Sequence, residues 1–483
     1  LALLKRKSHF CNKGKWIDAC NLIGQIMEEL LVDEVLELLE NENDKQLKAY
    51  LNELNISDVE HLIDELPQHA VKFIETLSIK RAVNVFRILD FPTQERIIKK
   101  LQSNKLTEII RQLPPDDRTA LLGDLKGDAV KRLLILLPDN DRIEALHLLG
   151  YEEDSVGRLM TPDFIAVRPE WTVNRVLSHI RRYGKNSETI DVIYVIDKDG
   201  LLLDDIRIRE ILLSDPETKI GELTDNRLIT LKVDDPQEEA INVFRMNNRV
   251  ALPVIDDQNM LLGIVTVDDI LWIAHEEYSE DIQKMGGTQA LDEPYLDVPV
   301  FQLYKKRVVW LILLFFGELL TIAAMSNFEH EIDKVVILAL FVPLIISSGG
   351  NSGSQAATLI IQAMALGEVT IKDWWNVLKR EIFSGIFLGL TLCLLSFSVV
   401  AMWHVVMPSF SSHPVLIGLV VGCSLIGVVL WGTLMGSMLP LLLKKLGADP
   451  AASSTPFVAT LVDVTGLIIY FSFALLFLKG ILL

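Results

Sequence analysis

Five apolar segments fill the C-terminal part of this chain: Val308 to Met325, Val335 to Ile361, Ile382 to Val406, Val415 to Leu443 and Pro456 to Leu478. Each is long enough to cross a bilayer. Hydrocarbon offers no partner to a backbone N–H or C=O, so such segments must close their hydrogen bonds internally and fold as helices. The fifth is the most constrained, because its only ionisable residue is Asp463. A carboxylate near the bilayer centre costs at least about 2.5–3.5 kcal/mol, and such residues mostly face a bundle interior or a water-filled path. Asp463 therefore reads either as an acid hydrogen-bonded to neighbouring helices or as a cation site on a transport path. Glu318, in the first segment, is the only other acid in a membrane core. It either faces the same path or is a protonated acid bonded to a neighbour.

The second segment is expected to break its helix at Pro343 and again over SSGGNSGSQ, residues 347–355. Glycines with Asn351 and Gln355 at membrane depth suit close helix packing or oxygens lining a wet path. Bases mark one side of the membrane: Lys305, Lys306 and Arg307 before the first segment, Lys372, Lys379 and Arg380 between the second and third, and Lys444 and Lys445 between the fourth and fifth. The remaining loops are acidic (FEHEIDK) or uncharged (MPSFSSHP). This bias puts the N-terminal part in the cytosol and the C-terminus outside. No cleavable signal peptide is expected ahead of the soluble part.

Charge separates the two parts. From Phe301 onward ten bases face nine acids, so residues 1–300 carry −20 of the total −19. That balance excludes attraction to nucleic acid or anionic lipid on average, and it concentrates cations at the surface; ordinary solubilising charge looks the same. Cys11, Cys20, Cys393 and Cys423 form no CxxC, and two lie in apolar segments, which predicts free thiols in a reducing compartment.

Residues 1–25 are basic and carry no clear period. From residue 26 to about 150 the chain reads as short amphipathic helices punctuated by Pro67, Pro92, Pro114, Pro115 and Pro138. Gaps of about 22 to 25 residues between prolines predict a stacked helix-turn-helix repeat, each Pro opening a helix at its first turn. Asp116 and Asp117, after two prolines, suit the positive end of a helix dipole.

Near Tyr151 helical and strand periods begin to alternate, and the pattern occurs twice, in residues 151–215 and 216–274. Each copy reads as a short strand, a helix, two strands around a turn (Asp199-Gly200; Asp257-Gln258-Asn259) and a closing helix. Residues 268–304 then form a connecting helix and linker whose first part, DDILWIAHEEYSED, holds Asp268, Asp269, Glu276, Glu277, Glu280 and Asp281. Like charges at i, i+3 and i+4 destabilise a helix by a few tenths of a kcal/mol per pair. A divalent cation would relieve them; a solvated acidic face is the plainer reading.

The twofold repeat resembles the CBS domain. In nucleotide-binding CBS domains the closing segment reads G-x-x-[ST]-x-x-D, which the second copy keeps as Gly263, Thr266 and Asp269, whereas the first has Asp204, Arg207 and Glu210. The resemblance thus implies ATP or another adenine nucleotide at Thr266 and Asp269 only.

The whole arrangement over about residues 25–480 resembles the MgtE family of magnesium channels and transporters. Its most specific words are PLIISSGGNSGSQAATLIIQA and DPAASSTPFVATLVDVTGLIIYF. The resemblance implies a multidomain protein: an all-α helical-repeat N domain, an α/β CBS pair, a connecting "plug" helix, and a five-helix transmembrane domain over residues 305–483. It further implies a homodimer in the cytoplasmic membrane, with a pore on its axis and Asp463 as the pore carboxylate. Asn351, Gln355, Glu318 and Asp449 join Asp463 as pore or ion-binding candidates. Regulatory Mg²⁺ is implied at Asp116, Asp268, Asp269, Glu277, Glu280 and Asp281, while Trp272, Asn248 and Ala120 stand where acidic ligands are common. Three other functions compete with a Mg²⁺ path: transport of Co²⁺ or Mn²⁺, nucleotide sensing without transport, and an intramembrane aspartyl protease using Glu318 and Asp463. The last lacks the GxGD signature of its class.

Overall fold

The computed structural model describes residues 30–41, 43–125, 128–291, 295–296, 298–406 and 413–479. The basic segment 1–25, with Cys11 and Cys20, lies outside them, as does most of the MPSFSSHP loop. The chain divides into two units, Leu1–Leu271 and Trp272–Leu483.

The first unit opens with ten short helices: α1 (30–40), α2 (Asp44–Glu53), α3 (Ile56–Glu65), α4 (Ala70–Thr76), α5 (Ile79–Ile88), α6 (Phe91–Lys100), α7 (Ser103–Gln112), α8 (Pro115–Asp124), α9 (Asp128–Leu136) and α10 (Asp139–Leu148). Each turns one apolar face to a shared core; α7, for example, buries Leu106, Ile109 and Ile110. Pro92 and Pro115 sit in first turns as expected, and Pro114 and Pro138 stand just before them. Pro67 instead occupies the turn between α3 and α4. A leucine stops most of these helices: Leu77, Leu89, Leu101, Leu113 and Leu125 are all buried caps in extended conformation. Leucine recurring every twelve residues therefore sets the helix length, and two such steps come close to the proline spacing.

The CBS pair follows, with identical topology in both copies. In the first, β1 (Ala166–Val167) pairs parallel with β2 (Val192–Ile196), which pairs antiparallel with β3 (Leu202–Arg207). In the second, β4 (Leu231–Lys232), β5 (Ala251–Ile255) and β6 (Leu261–Thr266) repeat that order. Helices α12 (Val173–Tyr183) and α13 (Ile208–Leu213) serve the first copy; α14 (Gln237–Asn247) and α15 (Val267–Met285) serve the second. Gly200 and Asn259, in the two hairpin turns, both have positive φ, 93° and 61°. Each copy is completed by the segment ahead of the other. The N–H groups of Val156 and Gly157, in α11 (Val156–Leu159), bond to Asp235 and Val233, while Ile220 packs into the core of the first copy. Packing thus crosses the boundary drawn at residue 215.

Among the described residues the second unit holds five helices apolar and long enough to span: α16 (Val300–Ser326), α18 (Ile337–Ala365), α19 (Trp374–Val406, preceded by a 3₁₀ turn), α20 (Pro414–Lys445) and α21 (Thr455–Leu478), with a short α17 (Glu329–Lys334) between the first two. The break expected at Pro343 and 347–355 does not form, because α18 is continuous through both. Its glycines serve packing instead. A Cβ on Gly353 would lie 3.0 Å from the Gly432 carbonyl oxygen, and one on Gly436 would collide with the Gly353 carbonyl. Only bare backbones let α18 and α20 approach so closely. The buried Tyr470 hydroxyl donates to the Leu338 carbonyl at 2.9 Å, tying α21 to the start of α18. Cys393 and Cys423 are free thiols.

Candidate functional site

Asp463 stands two turns into α21, a helix opened by Ser454, whose hydroxyl accepts the Phe457 N–H, and by Pro456 in the first turn. Two close approaches frame the carboxylate. A Cβ on Gly350 would be 3.4 Å from Asp463 Oδ1, so glycine on α18 keeps room beside it. One turn earlier a Cβ on Gly317 would be 2.7 Å from Thr460 Cγ2, so glycine also lets α16 lie against α21. That contact brings Glu318 into electrostatic range of Asp463. Neither acid makes a hydrogen bond among the described residues, which leaves the bonded-acid readings without support. Asp463 is half-buried and Glu318 exposed.

Asn351 and Gln355 are both exposed, one turn apart on α18, and the Asn351 amide donates to Ser347 Oγ at 3.3 Å. Ser347, Asn351 and Gln355 thus form a polar stripe at i, i+4 and i+8. It runs along an apolar helix beside the glycine face that receives Asp463. Lipid does not satisfy such a stripe.

Asp449 lies outside the fifth span. One carboxylate oxygen caps the turn Pro450–Ala452 by accepting the Ala451 N–H, and the other takes the Lys284 ammonium at 2.8 Å. Lys284, near the end of α15, also holds Glu280 at 2.5 Å. Burial works against its charge, but Asp449 and Glu280 outweigh it and raise its pKa. Gly287, at φ 72°, then turns the chain so closely against Trp310 that a Cβ there would be 2.6 Å from the indole. Trp310 Nε1 donates to Ser454 Oγ at 3.0 Å, so the end of α15 is linked twice to the start of α21. Glu277 and Asp281 are also engaged in interactions.

In the first unit the acids converge. Asp116 and Asp117 open α8 behind Pro115, while Asp268 and Asp269 open α15, and the two helix starts meet beside Glu188 and Arg87. Arg87 pairs with Asp117 and reaches Glu188 at 3.5 Å. Asp116 is buried and its Oδ1 has no hydrogen-bond partner. Burial first, then Asp269 and Asp117, push its pKa well up. Burial also raises Asp117 to about 6, against the pull of Arg87, and Asp269 to about 7, against the hydrogen bond from Thr266. The cluster is thus a concentration of acids that Arg87 offsets only in part. Among the described residues no three His, Cys, Asp or Glu side chains close around a single metal position.

Asp117, Glu188, Arg87 and Lys284 were not among the residues singled out as sites. Asp117 was visible beside Asp116, but Arg87 and Glu188 carry no local signal, since packing alone brings them to α8. Of the three non-acidic positions, Asn248 ends α14 in the left-handed conformation (φ 49°) that Asn tolerates, whereas Trp272 and Ala120 are exposed.

In the second CBS copy the Thr266 hydroxyl donates to Asp269 Oδ2 at 2.6 Å. Strand registers make Asp204 the counterpart of Gly263, each opposite the same strand position, Val195 or Val254. Asp204 is buried and accepts the N–H groups of Asp205 and Asn226, so a bonded carboxylate stands where, in the second copy, glycine admits the close approach of Thr161 and Met160.

Fold and site together define a polytopic membrane protein in which a helical domain and a CBS pair precede five apolar helices long enough to span. Family profiles agree: a divalent cation transporter profile, MgtE, matches residues 342–473, the MgtE intracellular N domain matches 54–154, and the CBS domain matches 156–214 and 220–276. The magnesium transporter MgtE of Thermus thermophilus is 38% identical over 94% of this chain and 100% of its own length. That of Bacillus subtilis is 28% identical over 95% of this chain and 100% of its own. A crystal structure of the cytosolic domain of the Mg²⁺ channel MgtE in complex with ATP shares 33% identity, covering 50% of this chain and 99% of that one at a TM-score of 0.49. The chain belongs to the MgtE family, whose members are transporters rather than enzymes.

Proposed function

We propose that this chain is a Mg²⁺-selective channel or transporter of the cytoplasmic membrane, working as a homodimer and gated by cytosolic Mg²⁺. The observation that carries it is Asp463, a membrane carboxylate with no hydrogen bond among the described residues, set between Gly350 and Glu318 beside a polar stripe. Mg²⁺ sheds water reluctantly and is usually held by one or two carboxylates plus waters, so two Asp463 side chains around a hydrated ion require no closed protein cage. Such a site also binds weakly enough to release the ion. Asn351 and Gln355 would line the path, with Glu318 beside it. Asp449 would act at its end, through Lys284 and the connecting helix. The relatives' names supply the choice of Mg²⁺ over Co²⁺ or Mn²⁺, which share oxygen ligands. The basic loops support a cytosolic position for the helical and CBS domains and an outer position for the C-terminus. The domain limits at 26–150, 151–215, 216–274, 268–304 and 305–483 belong to this reading.

For regulation, the acids at the starts of α8 and α15 fit a hydrated divalent cation. The orphaned Asp116 Oδ1 and the raised pKa values of Asp117 and Asp269 show charge that a cation would relieve. A hydrated Mg²⁺ can bridge such faces through its waters, without three direct ligands. Asp116, Asp268 and Asp269 would bind where the helices meet, and Glu277, Glu280 and Asp281 further along α15. Bridging favours the compact form, and sites complete only in that form give a steep response. A second reading, an adenine nucleotide at Thr266 and Asp269, rests on their match to the hydroxyl and acid of the nucleotide-binding CBS segment G-x-x-[ST]-x-x-D.

Mg²⁺ flux into proteoliposomes, with Co²⁺ and Mn²⁺ as competitors, tests the proposal. Uptake carried by the wild type and lost in Asp463→Ala is expected. Equal flux in both, with insertion verified, would remove Asp463 from the path, and no flux in either would favour sensing without transport.

A further inference from the structure

One helix of the acidic first unit is basic. α12 packs Val173, Val176, Leu177 and Ile180 into the core of the first CBS copy and leaves Arg175, Arg181 and Arg182 exposed, with Lys185 just beyond its end. Helical spacing puts Trp171, Arg175, His179 and Arg182 on one stripe and Arg181 and Lys185 beside it. The stripe is a continuous stack. The Arg175 guanidinium lies 4.2 Å from the Trp171 ring centre, and His179 meets Trp171 at 5.2 Å and Tyr183 at 4.7 Å. Arg182 lies 5.3 Å from the Tyr183 ring centre. Among the described residues, none of Arg175, Arg181, Arg182 and Lys185 is paired with a carboxylate, in a chain with 65 acids to 46 bases. Burial, then Arg175 and Arg182, hold the pKa of His179 down, as an uncompensated positive field does.

The average charge of this part repels anions, but screening over about 8 Å at physiological salt lets the local charge decide. We propose that the exposed face of α12 docks on the anionic lipid headgroups of the bilayer that holds the five spans. The apolar face of α12 is taken up by the CBS core, so only its outer face is offered: Trp and Tyr suit the level of the headgroups, and basic side chains are drawn to an anionic leaflet. An acidic protein surface matches the charge but leaves the aromatic ladder unexplained. Because the spans tether the chain, headgroups stay at high effective concentration and modest attraction suffices.

Amide hydrogen exchange of residues 171–185 tests this, with the full chain in nanodiscs of phosphatidylcholine alone or with phosphatidylglycerol added. Several-fold slower exchange is expected only in the anionic discs, reversed by high salt and absent in Arg175→Glu/Arg181→Glu/Arg182→Glu, with exchange in the β2 strand unchanged. Equal exchange in both discs overturns the proposal. Protection that is independent of lipid but rises with protein concentration also overturns it, and assigns the face to a second copy. The lipid comparison on the unmutated chain stands even where the triple variant does not fold, and it does not depend on whether the chain moves Mg²⁺.

Discussion

The two acidic regions of this molecule are opposites in design. At the junction of α8 and α15, Asp116, Asp117, Glu188, Asp268 and Asp269 crowd one another around a single guanidinium, and burial lifts the pKa of Asp116, Asp117, Glu188 and Asp269 above the ordinary value. In α21, Asp463 has, among the described residues, one acidic neighbour, no hydrogen bond and small residues on two sides. A crowded cluster gains much from a divalent cation and gains it only when its helices are together, which suits sensing. A solitary carboxylate holds a hydrated ion loosely, which suits passage. Membrane depth makes the solitary acid costly, and packing makes the crowded one so.

The largest effect is expected where the solitary site is removed. Asp463→Ala should reduce Mg²⁺ uptake to background with insertion intact, and Asp463→Asn should keep the shape while losing most of the flux. A nearly wild-type Asp463→Asn would mean that shape outweighs charge, and the contrast with the cluster would collapse. Gly436→Val places a side chain against the Gly353 carbonyl and should destabilise the membrane unit by at least about 1–3 kcal/mol. Thermal unfolding in detergent measures this, and an unshifted midpoint would show that α18 and α20 can move apart.

Neutralising the crowded site should leave transport and remove its control. In Asp116→Asn/Asp269→Asn, protease protection of the first unit in the full chain should no longer depend on Mg²⁺, while the wild type is protected by Mg²⁺ and exposed by chelator. Wild-type protection that ignores Mg²⁺ would reduce the cluster to solubilising charge. A pH series sharpens the point. An acid whose pKa is raised by folding binds more protons folded than unfolded, so its contribution declines as pH rises between the ordinary value and the raised one. With Asp117 at about 6 and Asp269 at about 7, that window runs from about pH 4 to about pH 7. Mg²⁺ should therefore raise the unfolding midpoint of the first unit more above pH 7 than below pH 6, and an equal rise at both would place the ion elsewhere. The smallest effect is expected for Glu318→Gln, a partial loss of flux or a change in selectivity among Mg²⁺, Co²⁺ and Mn²⁺. Unchanged flux and selectivity would make Glu318 a bystander.

Hydropathy and charge along the chain were enough to determine the five spans, the twofold CBS repeat and Asp463 as the acid to examine, because burial in lipid, strand alternation and an isolated charge are each written within a few dozen residues. The proline spacing likewise announced the helical repeat, although the buried leucine caps, not the prolines, end its helices. Tertiary structure alone decided the rest. Local rules read Pro343 and the glycines after it as a break, yet contact with α20 makes α18 continuous, since bare backbones on both helices allow close packing. Lys284 meets Asp449 across more than 160 residues of chain, and Arg87 meets Asp117 and Glu188. Such pairs have no period and no fixed spacing. They exist because packed helices set particular side chains together, and sequence proximity records nothing of that.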